Sequence, residues 1–212
     1  GNGTDVCLPR AVDNPVRWVY TPNPDCYLLK SDSLIVRVDL STASITYLDK
    51  EGGLLLQEDQ NIPRISEKRV TKQVIYDEHS KHIEKTADGD KEIKNVLRYD
   101  TIGHTWKYRI NFKWQPLEAL YGWGSHMEDY MNLRGKELYL CQHNLKAMVP
   151  VLNSTAGYGL LFDAGCAMMF KDNSEGSFVE LEAAKQIDYY FMKGKTMDAV
   201  VANYRMLTGN SP

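Results

Sequence analysis

Apolar and polar residues alternate along most of this chain with a period of two, the pattern of strands that have one face covered. "TWKYRINFKW" is the clearest case. Trp106, Tyr108, Ile110 and Phe112 alternate there with Lys107, Arg109, Asn111 and Lys113. "SLIVRVDL" sets Leu34, Val36 and Val38 on one face and Ile35 and Arg37 on the other. "SITYLD", the turn "KEGG" and "LLLQED" read as a hairpin with a glycine-bearing loop. "RVTKQVIYDE" and "KHIEKTAD" alternate again, and the polar turn "DGDK" leads into "EIKNVLRYDT". "ELYLCQ", "MVPVLNS", "YGLLFD", "AMMFKD", "SFVELEA" and "IDYYFMKG" complete the series. Turn residues punctuate these segments at short intervals. The fold class predicted is therefore all-β, a large antiparallel β-sandwich rather than βαβ units.

One segment changes period. In "TMDAVVANYRMLTGNSP", Met197, Val200, Val201, Tyr204 and Leu207 fall on one helical face. Thr196 suits the N-cap, Asp198 the first turn and Gly209 the position just past the end. The pattern predicts a single C-terminal α-helix over residues 197–208. The domain reading is an N-terminal extension over residues 1–17 and one sandwich domain over residues 18–212. The chain ends three residues past Gly209, as a polypeptide divided at a domain boundary would. Its opening "GNGTDV" reads as a trimmed end. That leans towards a periplasmic or secreted protein and leaves the compartment open.

Length and composition narrow the picture. A chain of 212 residues buries a substantial core. The net charge of −3 is spread as mixed acids and bases, which sets aside nucleic acid as a partner because phosphates need a clustered basic face. No apolar run approaches the ~20 residues of a membrane-spanning helix. The 13 tyrosines and four tryptophans suit strands, and they also suit sugar sites. Cys7, Cys26, Cys141 and Cys166 lack any C-x-x-C spacing, so zinc and thioredoxin readings fail. A Cys7–Cys26 pairing and free buried thiols both stay open.

Candidate chemistry is sparse. No G-x-S-x-G elbow and no H-E-x-x-H occurs. A glycosidase needs two carboxylates about 5 to 10 Å apart, and the acids here are scattered over turns and strand faces. Glu128 and Asp129 are adjacent but read as a solvated loop. His79 and His82 read as exposed, so no metal site is expected. "YGWGSH" carries Met127 where a dinucleotide motif has its third glycine, and no βαβ unit surrounds it, so no cofactor is expected.

The richest stretch is "YGWGSHMEDYMNLRGKELYLCQHN", Tyr121 to Asn144. Gly122 and Gly124 flank Trp123, as where a backbone bends or approaches another segment closely. "NLRG" reads as a turn closing at Gly135. Gln142, His143 and Asn144 both donate and accept, which suits hydroxyl-rich ligands and equally suits a loop capping its own backbone.

From this stretch to its end, the chain resembles the N-terminal domain of glycoside hydrolase family 31, the α-glucosidases, α-xylosidases and their relatives. "LYGWGSH" resembles the family's Y-G-x-G-[EQS] segment. "MNLRGKELYLCQHN" resembles the N-x-R-G…L-x-Q-x-N form of one branch. "VPVLNSTAGYGLLFDAG" and "IDYYFMKGKTMDAVVANYRMLTGNSP" resemble the segments that follow, in the family's order. Weaker likeness reaches back through "SLIVRVDLSTASITYLDKEGGLLLQED" to about Trp18.

The resemblance implies a galactose mutarotase-like supersandwich. It also implies that both catalytic aspartates of the retaining α-glycosidase belong to a (β/α)₈ barrel of the same parent polypeptide, absent from this chain. This chain alone is then expected to be inactive. What it lends is a loop over the barrel's mouth, after "ELYLCQ". Gln142 and Asn144 are implied as substrate-loop residues, with His143 the weaker candidate between them. Many members carry W-N-x-D there, so neutral Asn144 departs from the family at or near an aspartate. Tyr121 and Trp123 are expected to pack at the sandwich–barrel junction. The partners implied are that barrel and an oligosaccharide or α-glycoside. Two other readings compete: a stand-alone carbohydrate-binding β-sandwich module, and a mutarotase-type epimerase using His104 with Glu118.

Overall fold

The structure, a computed structural model, describes residues 16–209. Its larger sheet runs in the order β1 (Val19–Pro22), β2 (Cys26–Lys30), β3 (Leu34–Asp39), β4 (Ile45–Asp49), β5 (Leu54–Glu58), β9 (Val96–Lys113), β15 (Gly176–Ala184), β14 (Met168–Asn173) and β11 (Glu137–Leu140). β6 (Arg64–Tyr76) pairs with β9 as a tenth strand. The smaller sheet orders β10 (Leu120–Gly122), β12 (Val151–Ser154), β13 (Tyr158–Phe162) and β16 (Tyr189–Lys193). A separate ribbon joins β7 (His82–Thr86) to β8 (Gly89–Ile93), and these strands all pair antiparallel. The expected all-β sandwich is the observed fold.

The core lies between the two sheets. Ile110, Phe112, Phe170, Val179 and Leu181 of the larger sheet belong to one buried cluster with Leu152, Tyr158, Leu160 and Phe162 of the smaller. Aromatic rings bridge the gap: Phe112 meets Phe162 edge-on at 6.5 Å, and Tyr47 stacks on Phe191 at 4.0 Å. Each fully buried apolar side chain stabilises by about 1.5–3 kcal/mol, so this cluster is the main source of stability.

β13 is buried along its whole length, which explains its unbroken apolar run "YGLLF". Tyr158, Leu160 and Phe162 join the main core. Leu161 instead packs with Val151, Met192 and Val200 under the helix α1 (Met197–Thr208). Gly159 permits that approach, because a Cβ there would stand 2.4 Å from Val200 Cγ1. The helix has the predicted bounds. Thr196 Oγ1 accepts from the Ala199 amide at 3.2 Å, and the Gly209 amide donates to Arg205 O at 2.9 Å.

The sequence pattern misjudges one region. It divides "EIKNVLRYDT" from "TWKYRINFKW", whereas the structure places Glu92 and Ile93 in β8 and carries β9 from Val96 to Lys113 as one 18-residue strand. A register shift opposite Thr71/Lys72 absorbs Ile102, so pairing with β6 continues past it. β15 accompanies β9 only as far as the Ala184–Trp106 pair, leaving β6 and β9 to run on as a two-stranded arm. Among the described residues Cys26 is buried and forms no disulfide, and neither do Cys141 and Cys166, while Cys7 lies outside them.

Candidate functional site

The Tyr121–Asn144 stretch and its continuation to Val149 fold as a lip and a loop that lie against each other. The lip begins where β10 pairs with β12 through Gly122 and Leu152. Three successive residues then adopt positive φ: Gly122 at 129°, Trp123 at 64° and Gly124 at 86°. A left-handed tryptophan is a strained arrangement that only its surroundings can enforce. The Trp123 amide donates to Val151 O at 2.8 Å, and the ring sits in the core 5.7 Å from Phe162 and 5.9 Å from Phe170. Trp123 is 1% exposed. The bend turns the ring inward, onto this chain's own core. Tyr121 stays half-exposed on an open cleft of about 320 Å³ that His126, Glu128 and Tyr130 also line.

The loop leaves β11 after Leu140 and turns tightly. His143 and Lys146 exchange backbone hydrogen bonds, 3.3 Å from the His143 amide and 3.1 Å from the Lys146 amide, which puts Asn144 and Leu145 at the tip. Beyond it Ala147 pairs with Ser125 of the lip, with N–H to oxygen distances of 3.0 and 2.8 Å. Gln142 Oε1 accepts from the Met148 amide at 3.0 Å, and His143 Nδ1 accepts from the Leu145 amide at 3.3 Å. Two of the three candidate side chains thus brace their own loop. Asn144 is exposed, and its side chain makes no hydrogen bond among the described residues.

A charged clamp holds the loop to the lip. Lys146 Nζ lies 2.7 Å from Glu128 Oε1, and His126 Nδ1 lies 2.9 Å from Glu128 Oε2. The histidine contact is close without being well directed, since neither atom completes a hydrogen bond. The Lys146 hydrogen bond, opposed by burial, holds the Glu128 carboxyl below its ordinary value. Sequence reasoning treats Glu128 as solvated and misses this pair, which joins residues 18 apart with no periodic signal.

The chain's inner carboxylates are closed by internal donors. Glu118 accepts from the Gln115 amide at 2.7 Å and from the Ser154 hydroxyl and the Tyr158 phenol. Burial first, and then the Glu118 charge, pushes the Tyr158 phenol far above its ordinary value, so it remains a donor. Arg134, in the "NLRG" turn, donates to Gln115 O at 2.9 Å, Glu118 O at 2.8 Å and Asp172 Oδ2 at 2.9 Å. Glu58 accepts from Arg64 through both oxygens, at 2.6 and 2.7 Å, and from the Tyr189 phenol at 2.8 Å. Glu180 sits between Lys107 at 2.7 Å and Arg109 at 2.8 Å. An open groove of about 800 Å³ is lined by Asp59, Asp172 and Glu175 among others, and each of these is also engaged, Asp59 by Lys113 and Glu175 by Lys171.

The epimerase pair is not assembled. His104 is exposed on the arm opposite Val70, while Glu118 is buried among Ser154, Tyr158 and Gln115. His79 and His82 are exposed, and no group of three or more His, Cys, Asp or Glu gathers among the described residues. No helix among them is long and apolar enough to cross a membrane.

No protein-family model matches the chain. Among curated proteins it is 29% identical over 113 residues, 52% of its length, to an uncharacterized family 31 glucosidase of Pseudescherichia vulneris. It is 29% identical over 125 residues, 55% of its length, to an alpha-xylosidase of Saccharolobus solfataricus. The matches span only 21% and 17% of those relatives. Among solved structures, a GH31 alpha-xylosidase from a soil metagenome aligns over 100% of this chain and 29% of its own, with TM-score 0.71 and 19% identity. A GH31 dextranase of Flavobacterium johnsoniae aligns over 100% of this chain and 24% of its own, with TM-score 0.66 and 21% identity. Over about half its length the chain is thus similar in sequence to family 31 glycosidases, and over its whole length it shares the fold of a β-sandwich part of larger GH31 enzymes.

Proposed function

We propose that this chain is a non-catalytic domain of a larger family 31 α-glycosidase, where it supports a catalytic barrel and supplies one loop of the substrate pocket. The observation that carries the non-catalytic reading is the fate of its buried and groove-lining acids. Glu58, Glu118, Asp172 and Glu180 are each held by donors within the chain, and so are Asp59 and Glu175 along the groove. A glycosidase pair must instead present two carboxyls to an open site.

The tip of the 142–146 loop is what remains for the substrate. Gln142 and His143 stiffen it, Lys146 clamps it, and Asn144 is left with an amide that donates and accepts, as adjacent sugar hydroxyls require. Such preorganisation limits the entropy lost when the loop meets a ligand. Tyr121, half-exposed beside the same lip, is the residue proposed to meet the barrel.

The test is turnover of aryl α-glucosides and aryl α-xylosides by this chain and by the longer polypeptide. The reading expects hydrolysis by the longer polypeptide and none by the chain. Hydrolysis by the purified chain overturns it, and micromolar binding of α-linked oligosaccharides by the chain alone favours the stand-alone module.

A further inference from the structure

A row of exposed apolar side chains lies away from the lip, on the β6–β9 arm. Strand partners in an antiparallel pair share a face. From the core position Ile110 opposite Arg64, the same face runs outward through Lys68–Trp106 and Val70–His104, then Lys72–Thr101, Val74–Tyr99 and Tyr76–Val96. Val70 is 57% exposed, Tyr99 60%, Tyr76 49% and Val96 45%. The other face is charged: Glu67 pairs with Arg69 at 2.9 Å, and Arg98 with Asp100 at 3.0 Å. A two-stranded ribbon is marginal in water by itself, and exposed Val70, Tyr76, Val96 and Tyr99 on one side of it, interrupted by Lys68 and Lys72, mark a contact surface with a mixed apolar and basic character.

The register fixes where the arm points. Leu140, Met168, Leu181, Tyr108 and Ser66 lie in one line across β11, β14, β15, β9 and β6. The end of β11 from which the candidate loop departs is therefore the end of β9 from which the arm projects. Three strand steps, roughly 15 Å, separate them.

We infer that the apolar face of the arm seats the catalytic domain of the longer polypeptide, so that one body covers both the arm and the loop. The inference rests on the function proposed above and adds a second docking surface to it. Three observations select this occupant. The arm and the loop leave the sheet at one end, so a body facing the loop lies beside the arm. The solved neighbours aligned in full to this chain are three to four times its length by the shares matched, 29% and 24%. On β6, Arg69 stands on the charged face and Lys68 and Lys72 on the docking face, and these charges along the edge discourage strand addition by a second copy.

The test is hydroxyl-radical footprinting of Tyr76, Tyr99 and Leu145 in the isolated chain and in the longer polypeptide. Labelling of both tyrosines is expected to fall about fivefold in the longer polypeptide, as for rings moved from half-exposed to an interface core. Unchanged tyrosines with a protected Leu145 overturn the arm inference and leave the proposed function standing. Unchanged labelling at all three sites overturns both. Protection that grows with concentration in the isolated chain identifies a second copy as the occupant and overturns the inference.

Discussion

Lys146 reaches across from the candidate loop to Glu128 of the lip, 2.7 Å from Nζ to Oε1, and so ties the tip to the strained Gly122–Gly124 bend. The loop is otherwise held by its own amides and by the backbone pairing of Ala147 with Ser125. In Lys146→Ala, amide exchange over residues 143–147 is expected to quicken about tenfold while β13 stays protected, because only a local opening is eased. Unchanged exchange would show that the backbone pairing with Ser125 suffices.

Tyr158 and Glu118 form the second relationship with a measurable consequence. Tyr158→Phe removes one donor from a buried carboxylate that keeps the Ser154 hydroxyl and the Gln115 amide. The loss expected in urea unfolding is about 2 kcal/mol, in the range for hydrogen bonds to charged groups. A change within error would mean that the phenol contributes only through packing.

Asp39 gives the pH dependence. Its carboxylate accepts from the Ser41 hydroxyl at 2.6 Å, the Ser41 amide at 2.9 Å and the Thr42 amide at 3.1 Å. The Ser41 hydroxyl first, then the Thr42 and Ser41 amides, lower its pKa from 3.8 to about 2. The folded value lies below the unfolded one, so the turn is stabilised above 3.8 and that contribution is lost as pH falls towards 2. Ser41→Ala should move the Asp39 titration, followed by NMR, back towards 3.8. A titration that does not move contradicts the assignment.

Two glycines of positive φ separate strain from space. A Cβ on Gly52 would meet nothing within 4 Å, whereas a Cβ on Gly122 would stand 2.3 Å from Val151 O. Gly52→Ala is expected to cost about 1 kcal/mol from conformation alone. Gly122→Ala adds a clash with backbone and is expected to cost about 3 kcal/mol in thermal unfolding.

Strand identity was legible because burial on one face writes a period of two, and the helix because its caps and stripe agree. Trp106, Tyr108, Ile110 and Phe112 illustrate the first, Thr196 and Gly209 the second. The length of β9 was not legible, since a bulge at Ile102 breaks the alternation without breaking the pairing. The site was legible only in part. "QHN" announced polar groups, but periodicity cannot say which of them brace the loop, and the strand partners that bring Glu128 to Lys146 are set by tertiary register. The inward turn of Trp123 was not legible either, because flanking glycines signal a bend without giving its direction.

The central claim is that this sandwich lends Asn144 to a pocket whose catalytic groups stand on another domain. The most direct measurement is kcat/KM of the longer polypeptide on its α-linked substrate with Asn144→Ala. A fall of about tenfold, near one hydrogen bond to a hydroxyl, is the predicted result. An unchanged kcat/KM would contradict the claim and leave the loop as a self-capped turn.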